Sequence, residues 1–191
     1  MHDKIVYVSV DIEADGPVPG TNSMMSIGAD ARLADGTKLD TFSVNLRPLP
    51  DAEVCQQVMA DFWQKHPKAW EATQVHQHCP RIAMMLFARW LDIIQLDYQA
   101  KTVFVAYPLA FDYDYVLYYS RRFLGRNLFE KSIDMRSVAM GVLGVDFDMA
   151  NKAHMPPEWD ATAEMKHIAV EDATQQADLF FKMLAASRKN N

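Results

Sequence analysis

Apolar and polar positions along the chain follow two periods, and those periods divide it into elements. Val6-Tyr7-Val8-Ser9-Val10 is a β-branched run with alternating faces. It continues through Asp11-Ile12-Glu13 and stops at Ala14-Asp15-Gly16-Pro17, as a buried strand does. A turn-rich stretch from Gly16 to Ser23 leads to a second predicted strand, Met24 to Leu33. Asp35-Gly36 is a hairpin signal and joins it to a third, about Lys38 to Leu46. Three strands before any helix suggest the antiparallel part of a mixed sheet. After Arg47-Pro48-Leu49-Pro50 the spacing predicts helix in pieces from Asp51 to Thr73, with a new piece at Pro67. Cys79-Pro80 opens the clearest helix. Ala83, Leu86, Phe87, Trp90, Leu91 and Ile94 form its apolar stripe, and Met84 and Met85 are read as packing. Thr102 to Tyr107 reads as a buried strand ended by Pro108, and Phe111-Asp112 starts a tyrosine-rich helix. Ser132 to Met135 reads as a fifth strand, and Arg136 to Leu143 as a helix stopped by Gly144. Asp146 to Glu164, with Pro156, Pro157 and Trp159, is a long loop. Lys166 to Asp172 then leads into a helix over Ala173 to Ala186, whose buried face is Ala169, Ala173, Ala177, Phe180 and Leu184. Strands interleaved with helices in this order define an α/β mixed sheet flanked by helices.

Composition narrows the class. A chain of 191 residues, 50% apolar, is enough for one domain over residues 1–191 with a full core. A net charge of −6 argues against a simple basic nucleic-acid surface, although bound divalent cations would offset acidic charge locally. Cys55 and Cys79 form no zinc pattern and suggest free thiols in a reducing compartment. Met1-His2-Asp3-Lys4 runs straight into the first strand with no secretory leader, and no apolar run is long enough for a membrane span. The expectation is a cytoplasmic protein with no membrane association.

The chemistry gathers at element ends. Asp11 and Glu13 share one face of the first strand, about 7 Å apart. Such a pair calls for a proton, a cationic neighbour or a metal, and no Lys or Arg lies between Lys4 and Arg32. Asp112 stands at a strand-to-helix junction, where helix capping would equally account for an acid. His167 and Asp172 are five apart, about 140° round a continuous helix. They face one cleft only if His167 precedes the helix and Asp172 lies in its first turns. Glu171 and Asp178 are read as solvated. Phe62, Trp63 and Trp70 either cap the core or offer a surface on which bases stack. Carboxylate oxygens at this density suit Mg²⁺ or Mn²⁺ rather than zinc. A pair of such ions supports in-line displacement at a phosphodiester, with a nearby imidazole taking a proton from the attacking water.

Asp11-Ile12-Glu13, Phe111-Asp112 and His167-Ile168-Ala169-Val170-Glu171-Asp172 together resemble the three motifs of the DEDD superfamily of 3′–5′ exonucleases. The closing H-x-A-x-x-D marks its DEDDh branch, the group of bacterial proofreading subunits and ribonuclease T. The resemblance runs from residue 11 to residue 172. It implies a ribonuclease H-like mixed β-sheet with its first three strands antiparallel. It implies two divalent ions, Mg²⁺ or Mn²⁺, held by Asp11, Glu13, Asp112 and Asp172, with His167 as general base. The implied reaction releases nucleoside 5′-monophosphates one at a time from the 3′ end of single-stranded DNA or RNA. Ser23, Met24 and Met25, with Phe111, become candidates for sugar or base contact, and packing accounts for the first three equally well. Homodimerisation is implied by analogy with ribonuclease T.

The chain departs from the family at one point. Many relatives carry Asn four residues before the second-motif Asp, where this chain has Pro108. Proline lacks both the amide side chain and a backbone N–H, so handling of the 3′ end, and with it DNA-versus-RNA preference, is left open. Basic residues are dispersed (Lys65, Lys68, Arg121, Arg122, Arg126), which points to short or single-stranded substrates. Two other classes stay in view: a non-catalytic nucleic-acid- or partner-binding module on the same fold, and a hydrolase of small phosphodiesters.

Overall fold

The computed structural model describes residues 4–162 and 165–189; Met1-His2-Asp3 and Glu164, at the end of the predicted loop, lie outside that range. Strands β1 (Lys4–Ala14), β2 (Met24–Leu33) and β3 (Lys38–Asn45) form the antiparallel half of the sheet, while β4 (Ala100–Ala106) and β5 (Ser132–Asp134) extend it in parallel. The order is β3-β2-β1-β4-β5, so β1 is central and joins the two halves. The first three strands are antiparallel, as the hairpin signal at Asp35-Gly36 requires; Gly36 takes φ 93° at the turn. The third strand ends at Asn45, and Leu46 instead bridges to His78.

The helices are α1 (Gln56–Asp61), α2 (Pro67–Thr73), α3 (Pro80–Tyr98), α4 (Leu109–Leu124), α5 (Met135–Leu143) and α6 (Ala169–Lys189). Residues 51–55 are not helical, unlike the expectation, because Pro50 and a turn closed by Ala52 N–H to the Leu49 carbonyl come first. A 3₁₀ turn, Trp63–Lys65, separates α1 from α2, and the long stretch before α6 holds three more short 3₁₀ turns. Among the described residues no helix is long and apolar enough to cross a membrane.

Alternation along β1 divides its side chains between two helical layers. Val6, Val8, Val10 and Ile12 enter the larger apolar cluster with Phe87 and Leu91 of α3 and Tyr115 and Tyr119 of α4. Tyr7 goes to the other face and meets Phe180 and Phe181 of α6 edge-on, at 5.1 and 5.9 Å between centroids. Ser9, Asp11 and Glu13 follow Tyr7 on that face. The buried stripe of α3 includes Met84 and Ala88, whereas Leu86 is exposed. The stripe is thus turned slightly from the predicted one; Trp90, partly buried against the core, donates its indole N–H to Asp40 at 2.8 Å.

Two features seat α6 on the sheet. Gly28 of β2, directly opposite Asp11 in the ladder, lies under the first turn of α6. A Cβ at this position would stand 2.1 Å from the Val170 nitrogen, so only glycine admits the helix at this height. Further along, the fully buried Asp30 accepts from Arg32 at 2.8 Å and from Lys38 at 2.9 Å, and Arg32 reaches across to Asp178 of α6 at 2.7 Å. Asp178 is therefore an ion-pair partner rather than simply solvated, whereas Glu171 pairs at the surface with Lys166.

Candidate active site

β1 runs on past the carboxyl end of its parallel neighbour β4, and four acids with one histidine collect there, near where open α/β sheets place their ligands. Asp11 and Glu13 arrive from β1, on the face covered by α6. The chain leaves β4 through Tyr107 and a cis-peptide-linked Pro108, and α4 then turns back over the end of β1. Asp112 lies in the first turn of α4 but does not cap it; its Oδ1 accepts the Ile12 N–H at 3.0 Å. The start of α4 is held by Asp134 instead, whose Oδ2 accepts from the Leu109 N–H at 3.0 Å.

His167 and Asp172 take the arrangement their spacing left as the workable one: α6 begins at Ala169, His167 precedes it, and Asp172 lies in its first turn. Asp172 Oδ1 accepts the Lys166 N–H at 3.0 Å, which pins the segment carrying His167 to the helix start. His167 itself has φ 56°, a left-handed conformation that a side chain-bearing residue adopts at a cost and that recurs at functional sites. Its ring is packed edge-on against Phe62 at 4.7 Å and against His66 at 4.3 Å.

One ligand atom each from Glu13, His167 and Asp172 lies within 4.8 Å of the others. Asp172 Oδ2 is buried with no hydrogen-bond partner in the protein. Burial first, and then repulsion from Asp112, Glu13 and Asp172, holds Asp11 well above the ordinary carboxylate range. Burial, with Asp172 and Asp112, pushes Glu13 up to about 8, and burial raises Asp112 to about 7. A set of buried carboxylates that resist ionisation together, one with a bare oxygen, fits hard divalent cations: oxygen donors would lose their mutual repulsion on binding. His167 moves the other way; burial, then the neighbouring His66, lowers it below the usual imidazole value.

Several groups here had no signal in the sequence. Lys152, from the long stretch before α6, places its ammonium 5.1 Å from the Tyr107 ring centroid and 3.4 Å from Met165 Sδ. Its charge favours ionisation of Asp11 and Asp112, supplying from far along the chain the cation that the strand's own neighbourhood lacks. Gln176 donates to Asp11 Oδ1 at 2.7 Å. Beside Glu13 opens an apolar cavity of about 320 Å³, lined by Ala14, Pro17, Val58, Phe62, Trp63 and Phe111. Trp63 is buried with its indole N–H on the Ala14 carbonyl at 3.0 Å, so it forms a fixed wall, and Phe62 is only part-buried. Phe111, a candidate for substrate contact, lines this cavity. Ser23, Met24 and Met25 do not: all three are at most 1% exposed. Ser23 Oγ accepts the Leu49 N–H at 3.0 Å and the Met24 N–H is spent on the Tyr119 hydroxyl at 2.8 Å, so these residues are packing.

A buried carboxylate quartet with a histidine at the carboxyl end of β4, on a sheet of this order, fits a phosphodiester-cleaving enzyme of the ribonuclease H-like fold. The comparisons agree. Over 186 residues the chain is 30% identical to the 3′–5′ DNA exonuclease Cap18 of Escherichia coli, covering 93% of this chain and 91% of that protein. The nuclease domain of 3′hExo, a DEDDh family member bound to rAMP, superposes with a TM-score of 0.73 at 13% identity, over 96% of this chain and 92% of that one. E. coli exonuclease I in its zinc-bound complex with single-stranded DNA gives 0.59 at 13% identity, over 100% of this chain and 42% of that longer one. No protein-family model matches. The chain belongs to the DEDDh family of 3′–5′ exonucleases, and its Glu13, His167 and Asp172 offer ligand atoms close enough together to hold a metal ion.

Proposed function

We propose that this enzyme, acting as one unit over residues 1–191, removes nucleotides from the 3′ end of single-stranded DNA and releases nucleoside 5′-monophosphates. The observation that carries this reading is the placing of the Glu13–His167–Asp172 cluster against the aromatic cavity beside Glu13. A volume of about 320 Å³ is large enough to take a base. Phe111 and Phe62 offer faces for that base to stack on. The polymer follows from Cap18, which is named as a DNA exonuclease.

Asp11, Glu13, Asp112 and Asp172 would hold two divalent ions, Mg²⁺ or Mn²⁺. Such a pair, when bound, supplies charge stabilisation at the scissile phosphate and acidifies a water molecule. His167 accepts the proton of the attacking water. Its packing between Phe62 and His66 sets the ring plane, and its lowered pKa keeps it neutral, and so able to accept, at neutral pH. Asp172 contributes twice: Oδ1 holds the backbone that presents His167, and Oδ2 faces the cation site.

Digestion of matched 3′- and 5′-labelled single-stranded DNA and RNA, with Mg²⁺, Mn²⁺ or EDTA, tests this reading. Metal-dependent shortening of DNA from its 3′ end is expected. Faster loss of RNA would reassign the substrate, and no shortening of either polymer would sink the reading.

A further inference from the structure

Gln176 is 1% exposed, so both ends of its amide must be satisfied inside the protein. Oε1 accepts the Tyr107 N–H at 2.8 Å, and Nε2 donates to Asp11 Oδ1 at 2.7 Å. A backbone N–H can only donate. The Tyr107 bond therefore determines which way the amide faces and obliges its NH₂ to point at Asp11. Gln176 also lies four residues beyond Asp172, one helical turn along α6 on the same face. One helix stripe thus delivers an acid of the cluster and, a turn later, the donor that grips another.

We propose that Gln176 is a positioning residue for the cation site. It occupies Asp11 Oδ1, leaves Oδ2 for the divalent ion, and so makes cation affinity depend on the docking of α6 against the end of β4. The inference rests on reading the acid cluster as that site. The bond restricts rotation of the Asp11 carboxylate.

Two variants separate positioning from support of the fold. Gln176→Glu keeps an acceptor for the Tyr107 N–H but sets a carboxylate against Asp11. Gln176→Met keeps the length and offers neither bond. The measurement is Mn²⁺ binding to metal-free protein, followed by Mn²⁺ electron paramagnetic resonance at neutral pH. It is paired with urea unfolding in EDTA and with exonuclease rate against Mn²⁺ concentration. Wild type is expected to bind Mn²⁺. Each folded variant should bind it about 10–100-fold more weakly, the range expected for loss of a residue that orients a metal ligand. The Mn²⁺ concentration for half-maximal rate should rise in parallel, with most of the maximal rate recovered at saturating Mn²⁺. Folded variants that bind Mn²⁺ as tightly as wild type would overturn the proposal, as would failure of both variants to fold in EDTA, which would make the residue structural. Absence of Mn²⁺ binding by the wild type would instead overturn the cation-site reading beneath it.

Discussion

Replacing Glu13 with Gln should stabilise the metal-free protein while ending its activity. Glu13 is 7% exposed, and burial with its acidic neighbours raises its carboxyl from 4.5 to about 8. Between those values the folded chain keeps a proton that the unfolded chain has released. Stability therefore falls as pH rises through that window, and the loss is nearly complete near pH 8. At pH 8 the handicap amounts to about 4 kcal/mol, and at pH 5 to less than about 1 kcal/mol. Asp11 shares the same enclosure and the same repulsion with Glu13, so part of this handicap belongs to the coupled set and not to Glu13 alone. One substitution is thus expected to recover about half, about 2 kcal/mol, or about 5 °C in Tm for a chain of this length. Thermal unfolding in EDTA at pH 8 and pH 5 reads this directly. The variant should melt higher than wild type at pH 8, and the gain should shrink sharply at pH 5. An equal gain at both pH values, or a lower Tm at pH 8, would refute the electrostatic reasoning.

Other consequences follow from the same geometry. Gly28→Ala must push the first turn of α6 off β2, because the new methyl would meet the Val170 nitrogen. A loss of about 1–3 kcal/mol in urea unfolding, and a far larger loss of turnover, is expected because His167 and Asp172 move with the helix. His167→Ala should lower kcat by about 10²–10⁴-fold under saturating Mg²⁺. In the wild type the acid limb of the rate profile should fall below 6.5, since lowering the pKa keeps the base unprotonated to lower pH. His66→Ala should move that limb upward by removing one of the two lowering influences, which a pH–rate profile will show. Phe111→Ala should raise KM for single-stranded DNA about tenfold, with a smaller effect on kcat, in a steady-state assay. Lys152→Met removes the charge that favours ionised Asp11 and Asp112, so the metal-free variant should lose more stability than wild type between pH 5 and pH 8 in the same EDTA melts.

What was legible in the sequence was local. The strand ending in Asp11-Ile12-Glu13, the Asp35-Gly36 hairpin and the last helix with Ala173, Ala177 and Phe180 inside all depend on short periods and turn residues, and all three stand in the fold. The D-x-E and H-x-A-x-x-D spacings likewise carried the acids and the histidine, because each pair lies within a few residues of chain. Contact or packing could not be decided for Ser23, Met24 and Met25 because β2 is buried almost along its length, so alternation there does not tell a cleft-facing residue from a core one. Capping stayed open as an alternative for Asp112 because the Ile12 N–H that it accepts lies 100 positions away. Gln176 gave no sign at all: an amide on an apolar helix face becomes meaningful only once the fold brings Asp11, 165 positions earlier, against it. Lys152 was hidden in the same way, as an unremarkable lysine in a long connection whose charge matters only at the cluster.

The most direct measurement is a crystal structure with Mn²⁺ and a nucleoside 5′-monophosphate, using anomalous scattering to locate the ions. Anomalous peaks among Asp11, Glu13, Asp112 and Asp172, with the phosphate facing His167 and the base in the cavity of Phe62, Trp63 and Phe111, are the predicted result. Mn²⁺ bound elsewhere, or a nucleotide seated away from that cavity at saturating concentrations, would contradict the assignment of this cluster as the catalytic centre.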